Sequence, residues 1–252
     1  MKNELFSIGP FTVHGYGLMI AIGILVAYVT AEYRAKKHGL DPDKIFYLVI
    51  WAVVGGFAGA KVLYFLTRLK DIMENPRVLL DLADGFVVYG GIIGGIYSAM
   101  AYCRIKKMPF LKYFDLVMPS VALAQGFGRI GCFLAGCCYG RETQSFLGVV
   151  FPANSMAPAG IKVLPTQLFS SAGDFLITAI LLLYYKKIKH TGDGGALYMI
   201  LYGVGRFLME FLRADDRGNI GMLSTSQMIS IVIVAGAVVL LWQNRRRDRE
   251  LL

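Results

Sequence analysis

Long apolar segments of about 20 residues recur along the whole chain, and they limit the possible folds more than any other feature of the sequence. A helix of this length crosses the ~30 Å hydrocarbon core of a bilayer. Charged residues make up only 17% of the 252 residues, whereas soluble domains carry about a quarter. The sequence therefore predicts an all-α, polytopic membrane protein forming a single domain. Its seven predicted spans are 15–31, 46–67, 85–103, 113–135, 166–185, 195–212 and 227–243.

The distribution of basic residues predicts the orientation of these spans. Of the 26 Lys and Arg residues, fifteen lie in the connections on one side, eight on the other side and three inside spans. Cytoplasmic connections are rich in Lys and Arg, so we expect the N-terminus outside and the C-terminus in the cytoplasm. The net charge of +9 is then mainly a topology signal. The basic tail 244–252 is expected to contact anionic lipid rather than nucleic acid, and the connection 136–165 is predicted to be an irregular outer loop.

Several polar side chains fall inside the predicted spans, where a charge is costly and usually functional. Although they come from five spans, all of them are predicted at the outer-leaflet depth: His14 and Tyr16, Lys61, Tyr89, Arg129, and Arg206 with Glu210. Simpler roles stay open for some of them. Arg206 and Glu210 are spaced i, i+4 and could neutralise each other. Lys61 could extend its amine to the interface, and His14 could be a structural hydrogen-bonding residue.

Arg129 is harder to explain by structure alone. It lies in the stretch Gln125-Gly126-Phe127-Gly128-Arg129-Ile130-Gly131, where the glycines leave the guanidinium accessible. Two arginines with too few carboxylates predict an anionic ligand, and a phosphate matches the planar fork of guanidinium donors. At this depth the abundant phosphate belongs to a phospholipid headgroup.

Three of the four cysteines, Cys132, Cys137 and Cys138, lie within seven residues at the outer end of the fourth span. Small-residue packing, a substrate-facing role and a redox pair all stay open. The spacing lacks the CxxC pattern and partner ligands of a metal site, so no metal is predicted. Pairs of glycines such as Gly90-Gly91 are expected first to pack helices closely, and a headgroup role for them is the second interpretation.

With these motifs in place, the chain resembles the prolipoprotein diacylglyceryl transferases, bacterial membrane enzymes that begin lipoprotein maturation. The likeness covers nearly the whole chain. It rests on these motifs in order: Phe6-Ser7-Ile8-Gly9-Pro10, His14-Gly15-Tyr16-Gly17-Leu18-Met19, Tyr89-Gly90-Gly91-Ile92-Ile93-Gly94, Gly128-Arg129-Ile130-Gly131-Cys132-Phe133 extending to Tyr139-Gly140-Arg141, Pro165-Thr166-Gln167-Leu168-Phe169, and Tyr202-Gly203-Val204-Gly205-Arg206 through Glu210 and Arg213, then Asp215.

The resemblance implies transfer of the diacylglyceryl group of phosphatidylglycerol to the cysteine thiol of a lipobox, with release of glycerol phosphate. It implies no metal or other cofactor, and a place in the bacterial inner membrane with the site toward the outer leaflet. Arg129 would hold the lipid phosphate, and Arg206 would act at the reacting centre together with Tyr89. The expected substrate-binding residues are Tyr16, His14, Gly90, Gly91, Gly128, Gly140, Tyr202 and Glu210, in addition to Arg129.

Some positions depart from the family pattern. Tyr89 stands where the family has histidine, Cys132 where it has asparagine, and Cys137 where it has glutamate, while Leu164 and Ser170 replace a frequent His and Glu. The phosphate-binding half of the site is retained, and the half that handles the thiol is rebuilt. Three interpretations follow: an enzyme of the same reaction, a paralogue that uses the same donor with another acceptor, or a phospholipid-binding membrane protein without catalysis.

Overall fold

The computed structural model describes residues 4–8, 11–75, 85–153, 155–214, 219–220 and 223–250. The described chain is dominated by helices, as the sequence predicts. These are α1 (Gly15–Lys37), α2 (Pro42–Thr67), α3 (Leu69–Glu74), α4 (Val88–Ile105), α5 (Phe110–Ala135), α6 (Thr166–Tyr184), α7 (Asp193–Glu210) and α8 (Thr225–Glu250).

Three short antiparallel hairpins add strands that the all-α prediction did not include. The first pairs β1 (Glu4–Ile8) with β2 (Phe11–His14) directly before α1. The second pairs β3 (Val149–Val150) with β4 (Lys162–Val163), and the third pairs β5 (Asn219–Ile220) with β6 (Leu223–Ser224). Each hairpin precedes a helix or lies in a connection, so the strands order the ends of helices without forming a larger sheet.

Five of the described helices are long and apolar enough to cross a membrane: Gly15–Lys37, Pro42–Thr67, Phe110–Ala135, Thr166–Lys187 and Thr225–Arg246. These five fall on five of the predicted spans. The helices α4 and α7 occupy the other two predicted spans with 18 residues each. The helix α4 contains four glycines and Arg104, and α7 contains Asp193, Arg206 and Glu210. The chain is thus a helical, multi-pass membrane protein.

By its contacts the chain divides into two compact units, Met1–Ala31 with Phe114–Leu252, and Glu32–Tyr113. In the first unit, α5, α6 and α7 share an apolar core built on Met118, Ala122, Ile177 and Leu181. Polar contacts fix the register of these helices. The Ser171 hydroxyl donates to the Gly126 carbonyl over 2.9 Å, and the Tyr198 hydroxyl donates to the Gln125 side chain over 2.9 Å. The helix that bears Arg129 is therefore held on two sides.

A buried carboxylate fixes the start of α7. Asp115 accepts hydrogen bonds from the backbone amides of Gly192 (2.6 Å) and Gly195 (2.7 Å). Amides at the start of a helix have no partner within the helix, so this carboxylate satisfies their hydrogen bonds. Its negative charge also interacts favourably with the positive end of the helix dipole. The Asn244 side chain donates to Asp193 over 2.9 Å from α8. Residue 244 is therefore part of the packed helix α8, which continues to Glu250 through most of the predicted basic tail.

In the second unit, α2 and α4 approach each other through glycines. A Cβ atom built on Gly59 would lie 2.4 Å from the Gly90 carbonyl oxygen, and one on Gly94 would lie 2.3 Å from the Gly55 carbonyl oxygen. No side chain fits at such distances, so glycine is required on both helices. This confirms the prediction that the glycine pairs pack helices.

Lys61 is also part of this unit, and it is buried rather than extended to the interface. Its amine lies 5.1–5.2 Å from the ring centroids of Tyr64, Phe65 and Phe86. Aromatic faces attract a cation at this range. The interpretation of Lys61 as an interfacial side chain is therefore wrong for the folded chain.

The connection 136–165 is more ordered than an irregular loop. Phe151, Ala157 and Val163 are buried in a small core of their own, with Phe133 and Tyr139 packed against it. The β3–β4 ladder and a bridge between Glu142 and Val163 close this segment. A compact segment of this kind can hold side chains at the end of α5 in fixed positions.

Candidate functional site

Arg129 and Arg213 of the first unit both lie within electrostatic range of Arg206, and we call these three residues the arginine cluster. Arg129 lies on α5, Arg206 on α7, and Arg213 three residues after the end of α7. Like charges this close repel, so the arrangement indicates an anionic ligand. Sequence reasoning predicted the first two members and missed the third as a site residue.

Arg206 is held in place by two neighbours. Its Nη1 lies 2.8 Å from the Glu210 Oε2, and its Nη2 donates to the Ser226 hydroxyl over 2.7 Å. The ion pair with Glu210 was one of the open interpretations, and the structure confirms it. The distance is that of an ion pair, yet the buried Oε2 accepts no well-aligned hydrogen bond from the described residues. Glu210 thus neutralises part of the Arg206 charge and keeps a lone pair for another donor.

Arg129 forms no ion pair with any carboxylate in the described part of the chain, although it is half-buried. Its electrostatic neighbours are Tyr202, Cys132, Asp174 and Cys138. Asp174 is the one carboxylate among them, and it was not predicted as a site residue. Among the described residues, the three arginines face two carboxylates, Asp174 and Glu210, so these five side chains together carry a net positive charge. That surplus agrees with the predicted phosphate ligand.

Arg213 is placed by the connection between α5 and α6. Its backbone bridges to Gly140, and the Arg141 amide donates to the Leu212 carbonyl over 2.9 Å. A Cβ on Gly140 would lie 2.7 Å from that same carbonyl oxygen, so this approach requires glycine. The spacing of Arg206, Glu210 and Arg213 is i, i+4, i+7, which would place three side chains on one face of a continuous helix, although α7 ends at Glu210. That spacing is the signal that could have identified Arg213.

The two predicted tyrosines of the first unit meet the cluster. Tyr16, at the start of α1, lies within electrostatic range of Arg129 and packs over Gly131, where a Cβ would be 3.2 Å from its ring. Tyr202 stacks on Tyr198 with ring centroids 5.7 Å apart, and it faces both Arg129 and Arg206. Both phenols can therefore donate hydrogen bonds to a bound anion.

Space is left open beside the charged and aromatic residues of this site. A Cβ built on Gly17, Gly128 or Gly205 meets no atom within 4 Å. These glycines directly adjoin Tyr16, Arg129 and Arg206 in the sequence. Gly128, a predicted substrate-binding residue, is thus not required for packing, and the open space beside it leaves room for a ligand.

Other predicted site residues are placed differently. His14 ends β2 and is exposed, and its side chain makes no hydrogen bond or ion pair within the described segments. Tyr89, Gly90 and Gly91 belong to the second unit, where a Cβ on Gly90 would meet the Gly59 carbonyl at 2.3 Å. The motif positions Gly9, Pro10 and Asp215 lie outside the described residues.

The three clustered cysteines also lie at this site. The Sγ atoms of Cys132, Cys137 and Cys138 are all within 4.8 Å of one another. Hydrogen bonds from the Cys132 and Cys137 thiols, together with the Arg213 guanidinium, hold the pKa of the Cys138 thiol below its usual range. The small-residue packing, the substrate-facing role and the redox pair all stay open on this geometry.

Comparisons with known proteins agree with these features. The family model described as prolipoprotein diacylglyceryl transferase matches residues 3–243. The chain is 51% identical over 240 residues to the phosphatidylglycerol–prolipoprotein diacylglyceryl transferase of Clostridium tetani, covering 95% of this chain and 96% of that one. It is 46% identical over 252 residues to phosphatidylglycerol–prolipoprotein diacylglyceryl transferase 2 of Clostridium perfringens, covering 99% and 98%. It is 34% identical over 242 residues to the phosphatidylglycerol–prolipoprotein diacylglyceryl transferase of Finegoldia magna, covering 95% of this chain and 94% of that one.

Proposed function

This chain belongs to the prolipoprotein diacylglyceryl transferase family, and we propose on that premise that it moves the diacylglyceryl group of phosphatidylglycerol to the thiol of a prolipoprotein cysteine. The relatives that cover nearly its whole length have names stating this donor and this acceptor. Of the three interpretations of the sequence, these names favour the enzyme of the same reaction. The acceptor is the lipobox cysteine, and the released product is glycerol phosphate.

The observation that supports this function best is the unneutralised charge around Arg129. Its guanidinium faces no ion-pair partner among residues 11–75, 85–153 and 155–214, and open space adjoins Gly128. Arginine binds phosphate oxygens with two parallel N–H donors. We therefore assign Arg129 to the phosphate of the lipid donor, and the open space to the lipid beside it.

Arg206 has a different role because its geometry is already fixed. Ser226 and Glu210 hold its guanidinium, so it does not have to reorganise when charge develops on the departing phosphate. Preorganised donors of this kind stabilise a transition state more than a ground state. We assign Arg206 to the leaving group. Tyr16 and Tyr202 supply further hydrogen bonds, and Glu210 orients Arg206.

The chemical step exchanges one bond at a glyceryl carbon. The acceptor sulfur, as thiolate, forms a C–S bond, and the C–O bond to the phosphate breaks. The electron pair of that bond leaves with glycerol phosphate, and the thiol proton passes to solvent or to the phosphate. Positive charge near the acceptor favours the thiolate. The arginine cluster therefore assists both the attacking sulfur and the departing phosphate, and the step needs no strong base.

The membrane arrangement belongs to the same proposal. The helices α4 and α7 complete seven spans together with the five apolar helices. The excess of Lys and Arg in alternate connections supports an outer N-terminus and a cytoplasmic C-terminus. The arginine cluster then faces the outer leaflet of the bacterial inner membrane.

Three further predicted contributions, at Tyr89, at Gly90 with Gly91, and at His14, are kept as predictions. Tyr89 is half-buried at the start of α4, and its phenol can orient a substrate group by a hydrogen bond. Gly90 and Gly91 are predicted to contact substrate in addition to packing. The exposed His14 is predicted to bind substrate at the start of α1.

A transfer assay tests the proposal. Purified protein is incubated with phosphatidylglycerol and a reporter prolipoprotein, and Arg129→Ala and Arg206→Ala are expected to abolish turnover while the protein still inserts and folds. The matched control is Arg68→Ala, since Arg68 is an exposed arginine paired only locally with Asp71 over 2.7 Å. Normal turnover in both cluster variants would exclude the arginine cluster as the site.

A further inference from the structure

The cysteines at the end of α5 form a group to which the proposed transfer step assigns no role. Cys132 lies in the last turn of α5, and Cys137 and Cys138 follow in the turn after it. Their three Sγ atoms lie within 4.8 Å of one another. Free thiols that simply fill space have no reason to converge in this way, so the convergence itself requires an explanation.

Two buried side chains of α6 hold the turn that brings the thiols together. Gln167 donates to the Cys137 carbonyl over 2.7 Å, and Thr166 donates to the Cys138 carbonyl over 2.8 Å. Each of these two side chains is only 1% exposed. Cys138 has a φ of 64°, a left-handed conformation that costs a non-glycine residue about 1–3 kcal/mol unless its surroundings fix it. The hydrogen bonds from Gln167 and Thr166 therefore fix the backbone that carries the vicinal thiols.

Two arginines lie near the thiols and can balance the charge of bound thiolates. Thiolates, not thiols, are metal ligands, and cationic neighbours stabilise them. Arg213 lies beside Cys138, and Arg129 lies within electrostatic range of both Cys132 and Cys138. Three thiolates around a divalent ion leave one net negative charge, which these arginines can balance.

We propose that Cys132, Cys137 and Cys138 form a three-thiolate site for one thiophilic d10 metal ion of the Zn²⁺ class. A Zn–S bond of about 2.3 Å places the sulfurs of such a site roughly 3.7–4.0 Å apart, so the thiols need to approach by less than about 1 Å. Side-chain rotations cover that distance without moving the backbone frame. The site is independent of whether the chain transfers lipid.

The spacing of the three residues explains why no metal site was predicted from the sequence alone. Ligands at i, i+5 and i+6 do not share a face of one helix, and no CxxC pair is present. The helix ends at Ala135, and Gly136 reverses the chain with a φ of 74°. The Cys137 amide then donates to the Cys132 carbonyl over 3.1 Å, which brings the thiols of Cys137 and Cys138 close to the Cys132 thiol. The turn replaces the spacing that a zinc motif normally provides.

Metal titration of the full-length protein tests this inference. Protein in detergent is reduced, stripped with a chelator, and titrated with Zn²⁺ against a chromophoric competitor and with Cd²⁺ by its ultraviolet thiolate charge-transfer absorption. We expect one ion per chain. Cys132→Ser and Cys138→Ser each lose a direct ligand, so affinity should fall by more than about 100-fold. The control Cys103→Ser removes the buried thiol of α4 in the other unit and should leave binding unchanged.

A second measurement uses the unsubstituted protein, in case a serine variant does not fold. Alkylation followed by peptide mass spectrometry should show all three thiols protected when Zn²⁺ is present and reactive after chelation. Three results would overturn the proposal: no bound ion at micromolar metal, undiminished binding when all three cysteines are serine, or a disulfide between two of them in protein trapped directly from membranes.

Discussion

Arg129 offers the sharpest quantitative prediction, because its side chain has no ion-pair partner in the described structure and its loss breaks no internal salt bridge. If its guanidinium donates two charge-assisted hydrogen bonds to the lipid phosphate, each is worth about 1.5–3 kcal/mol. Arg129→Ala then loses about 3–6 kcal/mol, which corresponds to a fall of roughly 10²–10⁴-fold in kcat/KM. Arg129→Lys keeps the charge and one donor direction, so its loss should be roughly ten- to 150-fold.

The assay measures initial rates of diacylglyceryl transfer at several phosphatidylglycerol concentrations in nanodiscs, with the thermal unfolding midpoint as the folding control. We expect kcat to fall more than KM rises, since negative charge on the phosphate grows as the ester bond breaks. Comparing the transfer rates of wild type, Arg129→Lys and Arg129→Ala separates the two-donor geometry of the guanidinium from its charge. Equal activity of Arg129→Ala and wild type, or equal losses for Lys and Ala, would refute the bidentate contact.

Four further predictions follow from the same geometry. Ser226→Ala removes the 2.7 Å contact to Arg206 and should lower kcat about tenfold, whereas Ser230→Ala, whose hydroxyl bonds only to the Ser226 carbonyl, should have little effect in the same assay. Gly140→Ala should lower the unfolding midpoint because its Cβ would lie 2.7 Å from the Leu212 carbonyl, while Gly128→Ala, with open space, should unfold like wild type. Tyr89→Phe should lower the transfer rate, and an unchanged rate would leave Tyr89 as a packing residue. A compartment-specific reporter fused after Leu252 should report the cytoplasm, and an outer-face signal would overturn the orientation.

The helices were largely predictable because apolar length determines them. The predicted spans 113–135 and 166–185 match α5 (Phe110–Ala135) and α6 (Thr166–Tyr184) to within three residues at each end. The end of α8 was less predictable, since arginines are good helix formers and continue the helix past the apolar span. The three hairpins depend on turns and on backbone pairing, which hydrophobic length does not encode.

The site was predictable where one helix places its residues and less so where contacts are tertiary. Arg206 and Glu210 follow from their i, i+4 spacing. The link of Arg129 to Tyr16 follows from their common predicted depth, whereas Tyr202 was predicted only from the family resemblance. Asp174 was missed because a single carboxylate in an apolar helix shows nothing about its neighbours. The convergence of the three cysteines depends on Gly136 and on the buried Gln167 and Thr166, so only the folded chain reveals it.

The central claim is that this protein transfers a diacylglyceryl group from phosphatidylglycerol to a cysteine thiol. The most direct measurement is mass spectrometry of a reporter prolipoprotein incubated with the purified protein and phosphatidylglycerol, beside a reporter whose lipobox cysteine is serine. We predict a diacylglyceryl adduct on the cysteine reporter alone, together with an equal amount of released glycerol phosphate. An unmodified cysteine reporter, from protein shown to be folded and lipid-bound, would contradict the account.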